Sequence, residues 1–234
     1  MSILLAAAAL LWLAGRIWRL RSDDPRVWRP AIEQFEAADR ESPPVPGAIV
    51  FTGSSSIRRW FSLADDMAPL AVLNRGFGGS RIHQVTHFAD RIVLRYSPRA
   101  VVFYAGENDV AGVLFSRRRT PEEVCLNFAV FCRRVHQVLP DAPIYFVSIK
   151  LSPARRRVWP AMLRANALIR EFCESDRRLH FIDVVPAMQG ADGRPRRALF
   201  GWDGIHLNQR GYAVWTEVIR PILREAFGGV TGQS

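Results

Sequence analysis

The sequence predicts an α/β domain, a five-stranded parallel sheet with helices on both faces. Three observations carry that reading. Five short apolar runs rich in Val, Ile and Phe recur along the chain, helical stretches separate them, and loops of Gly and small polar residues follow the first three. Apolar runs without polar alternation suit strands buried on both faces. Strands that alternate with helices of this length build parallel sheets.

The elements follow in order. A short helical stretch, Ala31 to Asp39, leads into a Pro-rich link at Pro43–Gly47, so residues 25–47 read as a linker. The runs Ala48–Thr52, Leu70–Leu73, Ala100–Tyr104, Ile144–Ile149 and Leu179–Val184 are the expected strands. Helices are expected at Arg81–Tyr96, Pro121–Leu139, Val158–Ser175 and Asn208–Ala226. Pro121 with Thr120 before it and Glu122-Glu123 after it marks a helix start. The domain is expected to span 48–228, with 229–234 as a tail.

Composition narrows the class. With 49% hydrophobic and 23% charged residues, the 234-residue chain is neither disordered nor polytopic in a membrane. Cys125, Cys132 and Cys173 cannot all pair within one chain, and none lies in a CxxC, which excludes a disulfide scaffold or a zinc ribbon. The net charge of +10 comes from 31 Arg and a single Lys, Lys150. So uniform a bias reads as general Arg usage, and runs such as Arg117–Arg119 and Arg155–Arg157 as solvated faces. No nucleic-acid motif accompanies the charge, so no nucleic-acid partner is expected.

Residues 1–24 form a separate element. Ser2 to Gly15 is uncharged and nearly all apolar, and Arg16, Arg19 and Arg21 follow. The basic residues lie after the apolar stretch, the reverse of an export signal, so the segment reads as a membrane anchor. That places the domain on the cytoplasmic side. Export to the periplasm or secretion after cleavage is the alternative.

In a parallel sheet, ligands bind beyond the carboxyl ends of the strands. The residues there are Gly53-Ser54-Ser55-Ser56, Asn74 to Gly79, and Gly106-Glu107-Asn108-Asp109; a fourth loop, Trp202 to His206, precedes the last helix. A serine becomes a useful nucleophile beside a base that is oriented by a carboxylate. His206 with Asp203 supplies base and carboxylate in one turn, and Gly204 lets that turn fold back. A developing oxyanion needs preorganised donors, which a backbone N–H at Gly79, the Asn108 amide and the N–H of the nucleophile can provide. Any of three adjacent serines can serve.

Phe51–Ile57 (FTGSSSI), Asn74–Gly79 (NRGFGG), Gly106–Asp109 (GEND) and Asp203–His206 (DGIH) resemble, in order, the four blocks of the SGNH (GDSL-type) hydrolases. The GEND and DGIHL segments are most similar to the platelet-activating-factor-acetylhydrolase-like branch. The resemblance implies a three-layer, flavodoxin-like α/β/α domain that hydrolyses esters without metal or organic cofactor. It implies Ser55 as nucleophile, His206 as base and Asp203 as third triad member, with Gly79, Asn108 and the Ser55 backbone as oxyanion hole. Substrates would be small-molecule, lipid or sugar-linked esters. One departure is that the usual Gly-Asp-Ser reads Gly53-Ser54-Ser55.

Other signals are weaker. His83 and His87 have the spacing of a zinc helix, but Gln84 stands where a general-base Glu belongs, so both are expected at the surface. The glycines at 76, 78 and 79 fail a dinucleotide fingerprint, because Arg81 replaces its last glycine. Glu107 and Asp109 are expected to hydrogen-bond their loop, and His136 and His180 to lie at the surface without evident partners. Trp60, Trp159 and Trp202 are candidates to line a substrate pocket. The rival to an esterase is a membrane-associated binding protein that keeps the fold without the catalysis. Oligomeric state is not legible in the sequence.

Overall fold

The computed structural model describes residues 22–112 and 116–228, together with Leu5, Ala14, Gly15, Ile17 and Trp18. The anchor reading of the leader and the tail at 229–234 thus fall almost wholly outside the described residues. Among the described residues no helix is long and apolar enough to cross a membrane.

Helix α1 (Arg29–Glu41) leads into strand β1 (Ile49–Gly53), and β2 (Val72–Gly76) precedes α2 (Ile82–His87). Strand β3 (Ala100–Tyr104), α3 (Pro121–His136), β4 (Ile144–Val147), α4 (Trp159–Glu174), β5 (Leu179–Ile182) and α5 (Gln209–Phe227) follow. All pairings are parallel and the strand order is β2-β1-β3-β4-β5. The direction of winding reverses between β1 and β3, and a ligand crevice opens at such a switch point.

Side chains alternate between two cores because successive strand residues face opposite sides. Val50, Val101, Phe103, Ile144 and Phe146 pack under α1 to α4. Ile49, Phe51, Val102, Tyr104, Tyr145 and Val147 pack against Trp215, Ile219 and Leu223 of α5. The start expected at Thr120-Pro121 forms a capping box. Thr120 Oγ1 accepts the Glu123 N–H at 3.2 Å, and the Glu123 carboxylate accepts the Thr120 N–H at 2.8 Å.

Three expectations need correction. The 25–47 stretch is not a free linker, because Val27, Trp28 and Ile32 are buried in the core beneath α2. Trp28 Nε1 donates to Gln84 at 3.0 Å, and the Asp39 carboxylate pairs with Arg75. The single helix expected at Arg81–Tyr96 is three pieces, α2, Ala89–Ile92 and a 3-10 turn at Leu94–Tyr96. It breaks at Phe88 and Val93, whose non-helical backbone turns both side chains into the core. The second strand starts two residues later than expected, at Val72, and the last ends two residues earlier, at Ile182.

Candidate active site

Four loops meet at the carboxyl edge of the sheet. Strand β1 ends at Gly53, whose φ of +135° and distance to the neighbouring strand admit only glycine. A Cβ there would lie 1.9 Å from the Tyr104 carbonyl oxygen. Ser54 stays extended, donating its N–H to Tyr104 O at 2.9 Å and accepting the Ile57 and Arg58 N–H groups. Its side chain makes no cap to the short helix that follows. The turn buries Ser54 and Ser56 and leaves Ser55, at the start of the short helix Ser55–Arg58, facing the cleft.

Ser55 Oγ lies 3.0 Å from His206 Nε2, and His206 Nδ1 lies 2.6 Å from Asp203 Oδ2. A carboxylate can only accept, so Nδ1 carries the proton and Nε2 accepts from the serine hydroxyl. Asp203 Oδ1 also takes the backbone N–H groups of Ile205 at 2.9 Å and His206 at 3.0 Å. Gly204, at φ +63°, lets the turn close this tightly. Its base is pinned by the Gly201 N–H to His206 O at 2.8 Å and the Ala154 N–H to Gly204 O at 3.1 Å.

The charges of the pair are set by these contacts. Burial alone would raise the Asp203 carboxyl, but hydrogen bonds from the His206 ring and from the Ile205 and His206 backbone bring it down to about 2. Burial holds the His206 imidazole below its ordinary range; the Asp203 hydrogen bond opposes this, and the Arg59 and Lys150 cations add to it. A neutral imidazole next to a hydroxyl can take its proton as that hydroxyl attacks a carbonyl carbon.

Asn108 sits in the short helix Glu107–Ala111 after β3. Its Nδ2 donates to Ser80 O at 3.2 Å, which joins it to the Gly78-Gly79-Ser80 loop after β2. Among the described residues no acceptor takes the backbone N–H of Ser55 or of Gly79. Asp109, below them, accepts the Ile82 N–H at 3.2 Å, and its complete burial raises its carboxyl to about 6.

A buried ionic cluster lies under the same edge, and sequence reasoning missed it. Glu107 pairs with Lys150, accepts from Tyr104 OH at 3.0 Å, and has Ser152 Oγ at 2.5 Å and Arg155 Nη1 at 3.2 Å. Burial would raise Glu107, but Lys150 and Arg155 hold it down at about 2. The one available signal was that the sole lysine among 32 basic residues directly follows the fourth apolar run. Arg155 departs from the solvated face expected for its run; Arg156 and Arg157 are exposed, whereas Arg155 reaches inward to Asn108.

The tryptophans separate. Trp60 is 1% exposed and packed among Phe51, Tyr212 and Trp215, so its ring belongs to the core. Trp159 braces the loop after β4 through Nε1 to Ser152 O at 2.9 Å. Trp202 stands 94% exposed beside Asp203, so it borders the site without walling a pocket. His136 and His180 have partners after all: His136 Nε2 lies 3.0 Å from Ala142 O, and His180 stacks on Tyr145. His83 reaches the Asp23 carbonyl at 2.8 Å, and His87 packs edge-on to Phe88. Among the described residues no group of three His, Cys, Asp or Glu side chains could hold a metal ion.

The GDSL-like lipase/acylhydrolase family model matches residues 40–214. No curated protein matches the chain. A Streptococcus pneumonia protein named for platelet activating factor superposes with a TM-score of 0.74 at 17% identity, over 93% of this chain and 99% of its own. A GDSL-like lipase of Bacteroides thetaiotaomicron VPI-5482 gives 0.69 at 19% identity, over 84% and 98%. The lipase/acylhydrolase of Enterococcus faecalis gives 0.60 at 18%, over 76% and 96%. At these identities the structures establish a shared fold. The match over residues 40–214 establishes the family: the chain belongs to the GDSL-like lipases/acylhydrolases and is a hydrolase that acts on esters.

Proposed function

We propose that the protein is a serine esterase working through an acyl-enzyme. One observation carries the reading. Ser55, His206 and Asp203 form an unbroken hydrogen-bonded chain, although the serine and the histidine are 151 residues apart in sequence. Chance rarely aligns a hydroxyl, an imidazole and a carboxylate in that order.

Ser55 Oγ attacks the ester carbonyl while His206 Nε2 takes its proton. Asp203 holds the ring in the required tautomer and stabilises the imidazolium. The Ser55 and Gly79 N–H groups and Asn108 Nδ2 receive the tetrahedral oxyanion, and His206 protonates the departing alcohol. Water then attacks the acyl-enzyme, with His206 as base again, and Ser55 is released. No step needs a metal or an organic cofactor. The apolar segment Ser2–Gly15, followed by Arg16, Arg19 and Arg21, supports a membrane anchor and tilts the substrate class toward lipid-derived or short-chain acyl esters.

The test is hydrolysis of a p-nitrophenyl acyl-chain series by the full-length protein and its Ser55→Ala variant. Serine-dependent turnover is expected, with a loss of about 10⁴-fold or more in the variant. Equal turnover by both would overturn the assignment. The non-catalytic binding protein is left without a supporting observation, since every member of the proposed triad is present and aligned.

A further inference from the structure

Glu107, Lys150 and Arg155 take no part in the proton transfers above, yet all three lie directly behind Asn108. On the reading that Asn108 donates to the oxyanion, we infer that Arg155, held by the buried Lys150–Glu107 pair, is the positioning residue of the oxyanion hole. It fixes which end of the Asn108 amide faces the reacting carbonyl, and it strengthens that N–H as a donor.

The assignment follows from what each group can do. A guanidinium only donates and a backbone carbonyl only accepts. Arg155 Nη2 lies 2.9 Å from Asn108 Oδ1, and the Ser80 carbonyl lies 3.2 Å from Nδ2. Turning the amide over would set NH₂ against guanidinium and oxygen against oxygen, so both contacts would become repulsive. Ser80 uses one Nδ2 hydrogen and leaves the second for a substrate oxygen. A cation bonded to the amide oxygen draws electron density from the nitrogen, which makes that second N–H a better donor.

The guanidinium is itself held from behind. Glu107 and Asn108 are consecutive, and Arg155 spans them, with Nη2 on Asn108 and Nη1 3.2 Å from Glu107 Oε1. Nη1 is buried and is not aligned for a hydrogen bond, so that contact is an ionic one. Lys150 is wholly buried and neutralises Glu107, so the three ions together keep one positive charge. That charge lies behind the atom that meets the oxyanion, in largely buried surroundings where water screens it less than at the surface. Ser152 Oγ, 2.5 Å from Glu107 and 3.3 Å from Ile205 O, ties the same cluster to the Asp203–His206 turn.

The experiment measures how fast a fluorophosphonate labels Ser55, with kcat and KM on a p-nitrophenyl ester alongside. In labelling, Ser55 Oγ bonds to phosphorus, fluoride leaves, and the phosphoryl oxygen sits where the carbonyl oxygen would. Full-length Arg155→Met, Arg155→Lys, Asn108→Ala and the Arg155→Met/Asn108→Ala double variant are compared with wild type. Asn108→Ala is expected to slow labelling by about 10²- to 10³-fold. Arg155→Met is expected to slow it, and to lower kcat, by about 10- to 100-fold with KM unchanged. Arg155→Lys should recover part of the loss, and it serves as the test if Arg155→Met does not fold. Once Asn108 is alanine, removing Arg155 should cost less than about twofold more, because a positioning residue needs the group it positions.

Losses that multiply in the double variant, or a wild-type rate in Arg155→Met, would overturn the inference. If Asn108→Ala is slow while Arg155→Met is not, only the role of Arg155 fails. If Asn108→Ala itself keeps the wild-type rate, the oxyanion reading fails and this inference falls with it.

Discussion

Two carboxylates at the same sheet edge reach the same ionisation by opposite means. Asp203 is held at about 2 by three hydrogen bonds from its own turn, and its side chain remains partly exposed. Glu107 is also held at about 2, but it is fully enclosed and owes this to Lys150 and Arg155. The first arrangement is local and couples the charge to a ring that must gain and lose a proton. The second is assembled from the ends of β3 and β4 and couples the charge to the scaffold. Removing the Asp203 carboxylate should therefore cost turnover, whereas removing Lys150 should cost folding stability.

The largest contrast is between Asp203→Asn and Lys150→Met. Asp203→Asn keeps the shape of the turn but favours the wrong tautomer, and kcat should fall by about 10⁴-fold while the melting temperature moves little. Lys150→Met removes one counter-ion from a buried Glu107 and should destabilise the fold by about 3–5 kcal/mol, read by urea denaturation. Adding Glu107→Gln to Lys150→Met should restore part of that stability, since the buried carboxylate that lost its lysine is then neutral while Arg155 keeps its bond to Asn108. If the double variant is no more stable than Lys150→Met alone, the pair does not act as a unit.

Acid separates the two sites less sharply. Glu107 is depressed below the ordinary glutamate value of 4.5, so its stabilisation is complete above that pH and is lost as pH falls toward about 2. The Lys150→Met/Glu107→Gln protein should show a flatter loss of stability over that window in pH-dependent denaturation. The smallest effect belongs to His206, which acts as base only when neutral. The groups that set its charge are Asp203, Arg59 and Lys150, and burial places its titration below the ordinary 6.5. Turnover should rise with pH through an inflection below that value. Arg59→Met removes a cation and should move the inflection upward; a pH–rate profile that does not move would remove Arg59 from the site's electrostatics.

What the sequence made legible follows the same division. The Asp203–His206 turn was readable because carboxylate, glycine and imidazole fall within four residues and their geometry is local. The parallel sheet was readable because both of its faces are buried, which leaves apolar runs without alternation. The choice among Ser54, Ser55 and Ser56 was left open by the residues themselves, because it depends on how close Gly53 comes to Tyr104 on the adjacent strand. Lys150 and Glu107 are 43 residues apart and share no periodicity, so only the fold reveals their pairing. Trp60 and Trp202 looked alike as aromatic residues near candidate loops. One lies against Tyr212 and Trp215 of α5 while the other stands in the open, a difference set by tertiary packing.

The most direct measurement is to label the full-length protein with a fluorophosphonate and locate the adduct by tandem mass spectrometry. Trypsin should release Glu41–Arg58, which contains all three adjacent serines. The adduct is expected on Ser55 alone, absent in Ser55→Ala and strongly reduced in His206→Ala. An adduct on Ser54 or Ser56, or labelling that survives Ser55→Ala, would contradict the account.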